Sequence, residues 1–371
     1  MSARQQIHSF ERELTYCTYC PRLCRFACPV AEGERRETVT PTAKMALLYL
    51  VDRGALEPDR DTAEPWFHCT GCGLHTRPCE HGIDIFPATR AGRVLAAAHG
   101  WTPEPLRSMA LGVEGAEAEL QALAADALPE APRTGEAAFL PGVHALREDP
   151  QLVRHVWQVL ARVLPQPPAL WTGPQEIGVL LLAAGMQEEL RCRAARVAAA
   201  AAGFRRLWLL DPEEAWLMQA LYPELGVQLE AEVRLPLEAL DRALPAAWRA
   251  AAEPRPPAAA ALPVVYHDPC FLGRRLGIVD APRRLIKQLT GRSPVEPPWS
   301  AAWGWCCGGG QRYAELEPAG AQAIARRRSE QLLAGGAGRV VTACPRCRSQ
   351  LRAALAGSGV EVHDLLELVQ A

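Results

Sequence analysis

Thirteen cysteines hold most of the chemistry this 371-residue sequence can do, and they are not scattered. Twelve fall into three groups, Cys17 to Cys28, Cys69 to Cys79 and Cys270 to Cys347, and only Cys192 stands alone. Grouped thiols outside an oxidising compartment point to metal rather than to a disulfide framework. The first run, CTYCPRLCRFACP over 17–29, reads C-x2-C-x3-C-x3-C-P, one residue longer in its middle gap than the usual ferredoxin run. The second, CTGCGLHTRPCEHGI over 69–83, keeps the ferredoxin spacing. It sets His75 where the third cysteine belongs and Glu80 where proline is usual.

In two-cluster ferredoxins the fourth cysteine of each run binds the other run's cluster. On that rule Cys17, Cys20, Cys24 and Cys79 would hold one 4Fe-4S cluster, and Cys28, Cys69 and Cys72 three corners of a second. Histidine is an iron ligand in Rieske centres, so His75 as the fourth ligand is the leading reading. Two others stay open: an open corner or three-iron cluster with His75 merely nearby, and a lost cluster. His68 and His81 are close enough in sequence to compete with His75. Two zinc sites fit these runs less well, because C-P and Gly82-Ile83 follow the ferredoxin pattern.

The third group has Cys270, the pair Cys306-Cys307, and Cys344-Pro-Arg-Cys347. Each lies at the end of an expected strand or the start of a turn or helix, where open α/β sheets gather ligands. Gly308, Gly309 and Gly310 would let backbone N–H groups approach cluster sulfurs. The helix start after Cys344, together with Arg346, would favour thiolate. Zinc would need four ligands and rarely takes adjacent cysteines, and a thioredoxin-like pair would leave three thiols idle. Chance burial of small apolar thiols is the remaining bland reading. An iron–sulfur centre suits all five.

The elements that must position these residues read as follows. TAKMALLYLVDRG (42–54) and PATRAGRVLAAAHG (87–100) are helices between and after the first two cysteine groups. Residues 101–135 and AAEPRPPAAAALP (251–263) read as connectors. Two similar segments follow in the same order. PVVYHDPC, a helix near 281–291, CCGGGQ, a helix over 314–333, the strand RVVTAC and PRCRSQL make the second. FLPGVHAL, the helix 149–164, WTGPQ, the strand RLWLLD and PEEAWLMQAL make the first. Strands alternating with helices predict α/β units with mostly parallel sheets. The domains expected are 1–105, 136–250 and 262–371.

The pattern HDPC, CCGGG, TACPRC resembles the cysteine-rich (CCG) domain of heterodisulfide reductases and of the iron–sulfur subunits of glycolate oxidase, lactate utilisation and anaerobic glycerol-3-phosphate dehydrogenase. The resemblance implies a two-cluster ferredoxin-like module, α+β or mainly helical, followed by two CCG-type α/β units. It implies a non-cubane four-iron cluster on Cys270, Cys306, Cys307, Cys344 and Cys347. The middle unit departs from the pattern: Val143, Trp171-Thr172 and Glu213-Glu214 or their neighbours stand at its ligand positions. It would keep the fold and lack the cluster. The resemblance further implies electron relay between an FAD-linked dehydrogenase acting on a 2-hydroxy acid or similar substrate and a quinone or other carrier. A disulfide reductase working at the C-terminal cluster, and an iron–sulfur redox sensor or scaffold, are the alternatives.

Other features are quieter. Net charge is −2, too small to recruit nucleic acid, and the basic residues are almost all arginine, a bias to which no function is assigned. No apolar run reaches the ~18 residues of a membrane span, and the start MSARQQIHSFERELTYC lacks an apolar leader. A cytoplasmic protein is expected, with a peripheral place at the inner face of a membrane left open. No P-loop, dinucleotide fingerprint or nucleophile–base constellation is present. His267 and Asp268 read as hydrogen-bond partners of the cluster site, with proton donation the less favoured role. Trp303 and Trp305 would shield it from water. Cys192 reads as a buried apolar thiol.

Overall fold

The computed structural model describes residues 2–247, 263–334, 336 and 338–369. The connector expected at 251–263 lies outside the described residues, apart from Pro263.

The first hundred residues are helical. The helix Pro41–Asp52 starts where Thr40 accepts the Ala43 N–H at 3.2 Å and Pro41 pre-sets the first turn. It buries Met45, Leu48 and Val51. Phe86–Ala98 buries Phe86, Ala88, Ala91 and Leu95 against Trp66 and Leu48. The first cysteine run begins in the last turn of the helix Glu11–Tyr19 and ends before Pro41, and the second lies between these two helices, mostly as irregular loop.

Residues 101–135 correct the expectation of a connector: they fold as the helices Glu104–Leu111 and Glu117–Ala127. Their periodicity is weak because each contributes only a narrow stripe, Leu106 and Ala110 on one, Leu120 and Ala124 on the other. Long-range ion pairs do the rest. Arg193, 1% exposed, donates to Glu117 at 3.0 Å and Glu114 at 2.8 Å.

Two parallel sheets follow. β1 (Ala137–Leu140), β2 (Ala169–Leu170), β3 (Arg206–Leu209) and β4 (Glu232–Arg234) run in the order β2-β1-β3-β4. β5 (Val264–His267), β6 (Arg339–Thr342) and β7 (Glu361–Asp364) run in the order β5-β6-β7. A parallel bridge from Val295 to Val265 takes the place beside β5 that β2 takes beside β1. The registers repeat too: Ala137 pairs with Arg206 and Arg206 with Glu232, as Val264 pairs with Arg339 and Arg339 with Glu361. The strands read as short apolar runs because helices cover them. One such helix, Pro150–Val163, is capped by Asp149 and buries Leu152, Val153, Val156, Trp157, Val159 and Leu160.

The modules are pressed together. Gly33, in the helix Pro29–Glu34, meets the helix Pro318–Ala334 so closely that an added Cβ would lie 2.9 Å from the Gly320 carbonyl oxygen and 2.8 Å from Ile324. Arg348 ties the C-terminal unit to Asp149, the cap of the middle unit's helix.

Cys192 corrects another expectation: it is exposed. On the helix Gln187–Ala201 the inner face is Leu190, Arg193, Ala194, Val197 and Ala201, and Cys192 falls on the other side. Arg193 occupies the inward position because Glu114 and Glu117 satisfy it there.

Candidate metal centres

Cys17, in the last turn of the helix Glu11–Tyr19, lines one cavity with Cys20, Cys24 and Cys79. Pro21, Leu23, Pro78, Ile83 and Ile85 give it an apolar wall. Backbone and hydroxyl donors are aimed at these sulfurs. The Arg22 N–H donates to Cys20 Sγ at 3.1 Å, and Thr42 Oγ1 lies 3.6 Å from Cys24 Sγ. Burial, with Cys24, Cys79 and Cys20 close by, pushes Cys17 up to about 12. Such a thiol gives up its proton when a cation binds in its place.

Cys28 starts the helix Pro29–Glu34, and its Sγ accepts from the Ala31 N–H at 3.5 Å. Burial pushes it up to about 12, with Cys72 and Cys69 adding to the push and Lys44 opposing it. Cys28, Cys69 and Cys72 are therefore near neighbours, and the Gly71 N–H donates to Cys69 Sγ at 3.4 Å.

His75 is buried, but it lines the cavity of Cys17, Cys20, Cys24 and Cys79. Its Nε2 accepts the Ile85 N–H at 3.0 Å and lies 3.3 Å from Asp84 Oδ1, so a neutral ring carries its proton on Nδ1 and offers iron no lone pair there. His68 does not compete for the role. Its Nδ1 meets Glu34 at 2.7 Å and its Nε2 meets Glu64 at 2.6 Å, so both nitrogens are engaged. His81 is exposed and packs on Tyr16.

The C-terminal five converge and are all buried. Cys270 follows β5, Cys344 follows β6 as the cap of the helix Pro345–Ala354, and Cys347 sits in that helix's first turn. Cys307 Sγ and Cys347 Sγ are 3.2 Å apart. The Gly308 N–H donates to Cys306 Sγ at 3.3 Å. S–H donation from Cys306 and Cys347 pushes Cys307 down to about 5. Cys306 is also within S–H reach of both Cys270 and Cys72, and its Sγ lies 3.6 Å from Thr70 Oγ1. The second cysteine run of the N-terminal module thus forms one wall of the C-terminal site. Gly310 permits this approach: a Cβ there would sit 2.4 Å from the Thr70 carbonyl oxygen.

Several residues passed over in the sequence hold this junction. Arg93 donates to the carbonyls of Trp66 at 2.9 Å and Cys69 at 3.0 Å. Arg274 donates to the Cys72 carbonyl at 2.6 Å and Arg275 to the Gly71 carbonyl at 2.9 Å. A guanidinium's fan of donors can satisfy several loop carbonyls at once. The arginines placed shortly after Cys270 were the available signal. Arg346 turns away from the role expected of it. Its Nε is 3.5 Å from Asp211 Oδ2, and it faces carboxylates of the middle unit. His267, fully buried, brings a ring nitrogen within 4.8 Å of the Cys307 and Cys347 sulfurs. Trp305 is buried against Trp299, whereas Trp303 is half-exposed.

The donor sets fit iron–sulfur clusters: thiols in groups, N–H groups on their sulfurs, and apolar walls. Comparison with known proteins agrees. Residues 264–352 match the cysteine-rich domain, and residues 13–83 match the 4Fe-4S dicluster domain. The chain is 37% identical over 109 residues to one component of the dihydromethanophenazine:CoB–CoM heterodisulfide reductase of Methanosarcina barkeri, covering 29% of this chain and 26% of that one. It is 33% identical over 110 residues to the probable iron–sulfur-binding oxidoreductase FadF of Bacillus subtilis, and 33% identical over 117 residues to the EtfAB:quinone oxidoreductase of Syntrophomonas wolfei. Each of these matches covers 29% of this chain and 16% of the relative. About a quarter or less of each relative's own length is spanned. Among the described residues no helix is long and apolar enough to cross a membrane.

Proposed function

For a chain that joins a 4Fe-4S dicluster domain to a cysteine-rich domain, we propose an iron–sulfur electron-transfer subunit of an oxidoreductase. Cys17, Cys20, Cys24 and Cys79 would hold one 4Fe-4S cluster, and Cys28, Cys69 and Cys72 a second. Cys270, Cys306, Cys307, Cys344 and Cys347 would hold a non-cubane four-iron cluster. When bound, these groups would supply one-electron redox chemistry at potentials set by hydrogen bonds and burial. The chain's own residues keep water out, present N–H groups to sulfur and fix the distance between sites.

The observation that carries this reading is the meeting of Cys72 and Cys306 within S–H reach, which leaves no protein layer between the second and third thiol sets. A relay needs such proximity, and three unrelated structural zinc sites do not. The partner would be an FAD-linked dehydrogenase acting on a 2-hydroxy acid or similar substrate, and the acceptor a quinone or other carrier. Relatives named as a heterodisulfide reductase component and a quinone oxidoreductase lend this support.

Relay is favoured over disulfide cleavage because the middle unit has carboxylates, not thiols, at its strand end. Iron and acid-labile sulfide analysis of anaerobically purified protein, with EPR during dithionite reduction, tests the reading. Matched iron and sulfide with signals from separate centres are expected. Colourless protein, or zinc in place of iron, overturns it. Rapid reduction of a small disulfide by viologen-reduced protein would overturn relay in favour of reductase.

A further inference from the structure

The matched registers of the two sheets identify which residues of the middle unit stand where the C-terminal unit has its thiols. Leu209 closes β3 against Leu140 as Thr342 closes β6 against His267. After one intervening residue come Asp211-Pro212-Glu213-Glu214 and Cys344-Pro345-Arg346-Cys347. Asp211 and Glu214 therefore occupy the two cysteine positions, and Glu213 occupies that of Arg346. The expected Glu213-Glu214 or their neighbours thus narrow to Asp211 and Glu214.

These three carboxylates are 2%, 3% and 2% exposed. An apolar replacement would have filled the space at less cost, since a buried carboxylate needs compensation. The compensation comes from the other unit. Arg346, 5% exposed and flanked by Cys344 and Cys347, has its Nε 3.5 Å from Asp211 Oδ2 and 3.7 Å from Glu213 Oε2. Its Nη1 is 3.8 Å from Glu315 Oε1. Glu213 Oε1 accepts twice from Gln311, from the backbone N–H at 2.9 Å and from Nε2 at 2.7 Å. Gln311 ends the Cys306–Gly310 loop with φ +54°, a left-handed conformation that glutamine adopts only under constraint. Its Oε1 accepts from Arg93 at 3.1 Å, and Arg93 holds the Cys69 carbonyl.

Resting on the reading that the C-terminal thiols carry a cluster, we infer that the middle unit's thiol-free strand end serves that cluster. Asp211 offsets the positive charge of Arg346, and Glu213 is a positioning residue for the Cys306-Cys307 loop. The surroundings suit this role. The carboxylates of Asp211, Glu213 and Glu315 face the guanidinium, all within 3.8 Å of its nitrogens. Burial pushes Glu214 well above the usual carboxylate range. Burial, then Arg346 and Arg312, hold His144 neutral, so it adds no charge to the group. An unopposed Arg346 would stabilise an added electron on the adjacent cluster, and Asp211 limits that stabilisation.

The test is an EPR-monitored redox titration of full-length, anaerobically reconstituted protein, with iron content measured first. Asp211→Asn keeps an oxygen to accept the Glu213 N–H but removes the charge. It is expected to shift the reduced-to-oxidised ratio of the C-terminal cluster about tenfold toward reduced, or about 59 mV for one electron. Arg346→Met is expected to shift the ratio the opposite way, and the double variant to return it to within about twofold of wild type, because opposite charges at one place cancel in their effect on the cluster. Glu213→Ala is expected to change the line shape of the C-terminal signal and Glu213→Gln to restore it. Both should leave the N-terminal signals unchanged, which reports that the fold is intact. A loaded protein whose ratio moves less than about twofold in Asp211→Asn, or whose double variant does not return toward the wild-type ratio, overturns the charge role. An unchanged line shape in Glu213→Ala overturns the positioning role. Wild-type protein without iron on the C-terminal thiols overturns the functional reading itself, and the iron content tells that outcome apart.

Discussion

Arg328 Nε donates to His267 Nδ1 at 3.0 Å, deep in the C-terminal unit. Arginine has no acceptor, so this bond assigns the lone pair to Nδ1 and the proton to Nε2 of a neutral ring. Burial, then the Arg328 charge, holds the ring well below its usual pKa, which keeps it neutral. Nε2 has no hydrogen-bond partner among the described residues, and a ring nitrogen lies within 4.8 Å of the Cys307 and Cys347 sulfurs.

An N–H aimed at a cluster sulfur stabilises the reduced, more negative state. His267→Leu should therefore lower the midpoint potential of the C-terminal cluster with little loss of bound iron. An EPR redox titration checks this. A potential unchanged or raised in a fully loaded variant would show that His267 only packs there.

The seating of Gly310 against Thr70 predicts a second effect. A methyl group cannot fit 2.4 Å from a carbonyl oxygen, so Gly310→Ala must part the two loops. A loss of about 1–3 kcal/mol of stability is expected from such overpacking. Spin–spin broadening between the clusters flanking Cys72 and Cys306 should weaken with it. Power-saturation EPR of wild type and variant measures the second effect, and thermal denaturation the first.

His75 yields a third prediction. With Nε2 on the Ile85 N–H and the ring lining the other cavity, the corner beside Cys28, Cys69 and Cys72 is not served by that nitrogen. Air-oxidised wild type should show a three-iron EPR signal, and His75→Ala should leave that signal unchanged. A cubane with nitrogen hyperfine coupling in wild type would restore the imidazole as ligand.

His144 supplies a pH dependence. Burial pushes it down to about 3 from an ordinary value near 6.5, with Arg346 and Arg312 adding to the push. Below pH 6.5 the unfolded chain takes up a proton that the folded chain refuses, so stability falls as pH drops from about 6.5 toward 3. The contribution is fully present above 6.5. At most about 1.4 kcal/mol is lost per pH unit, or several degrees in Tm at about 2–4 °C per kcal/mol. His144→Gln, which can keep the bond to Ser349, should show a smaller loss between pH 7 and pH 5 by calorimetry.

Spacing alone made the thiol sets and the strand ends that carry them legible, because ligand runs and strand-to-helix turns are local patterns. Partners distant in the chain were not. Cys192 is turned outward by Arg193, whose acids lie in the segment 101–135 that reads as a connector. The arginines on the Cys69–Cys72 loop look like composition until the loop's carbonyls are placed against them. The pairing of Asp211 with Arg346 depends on two sheets meeting, which neither strand announces by itself.

The crossing of Gly33 over Gly320 and Ile324 has a consequence for timing. A front half wedged so tightly on the back half cannot swing out to collect charge and return to deliver it. For the proposed relay, internal passage would then run at one fixed rate, and the docking and departure of partner proteins would set the tempo of turnover.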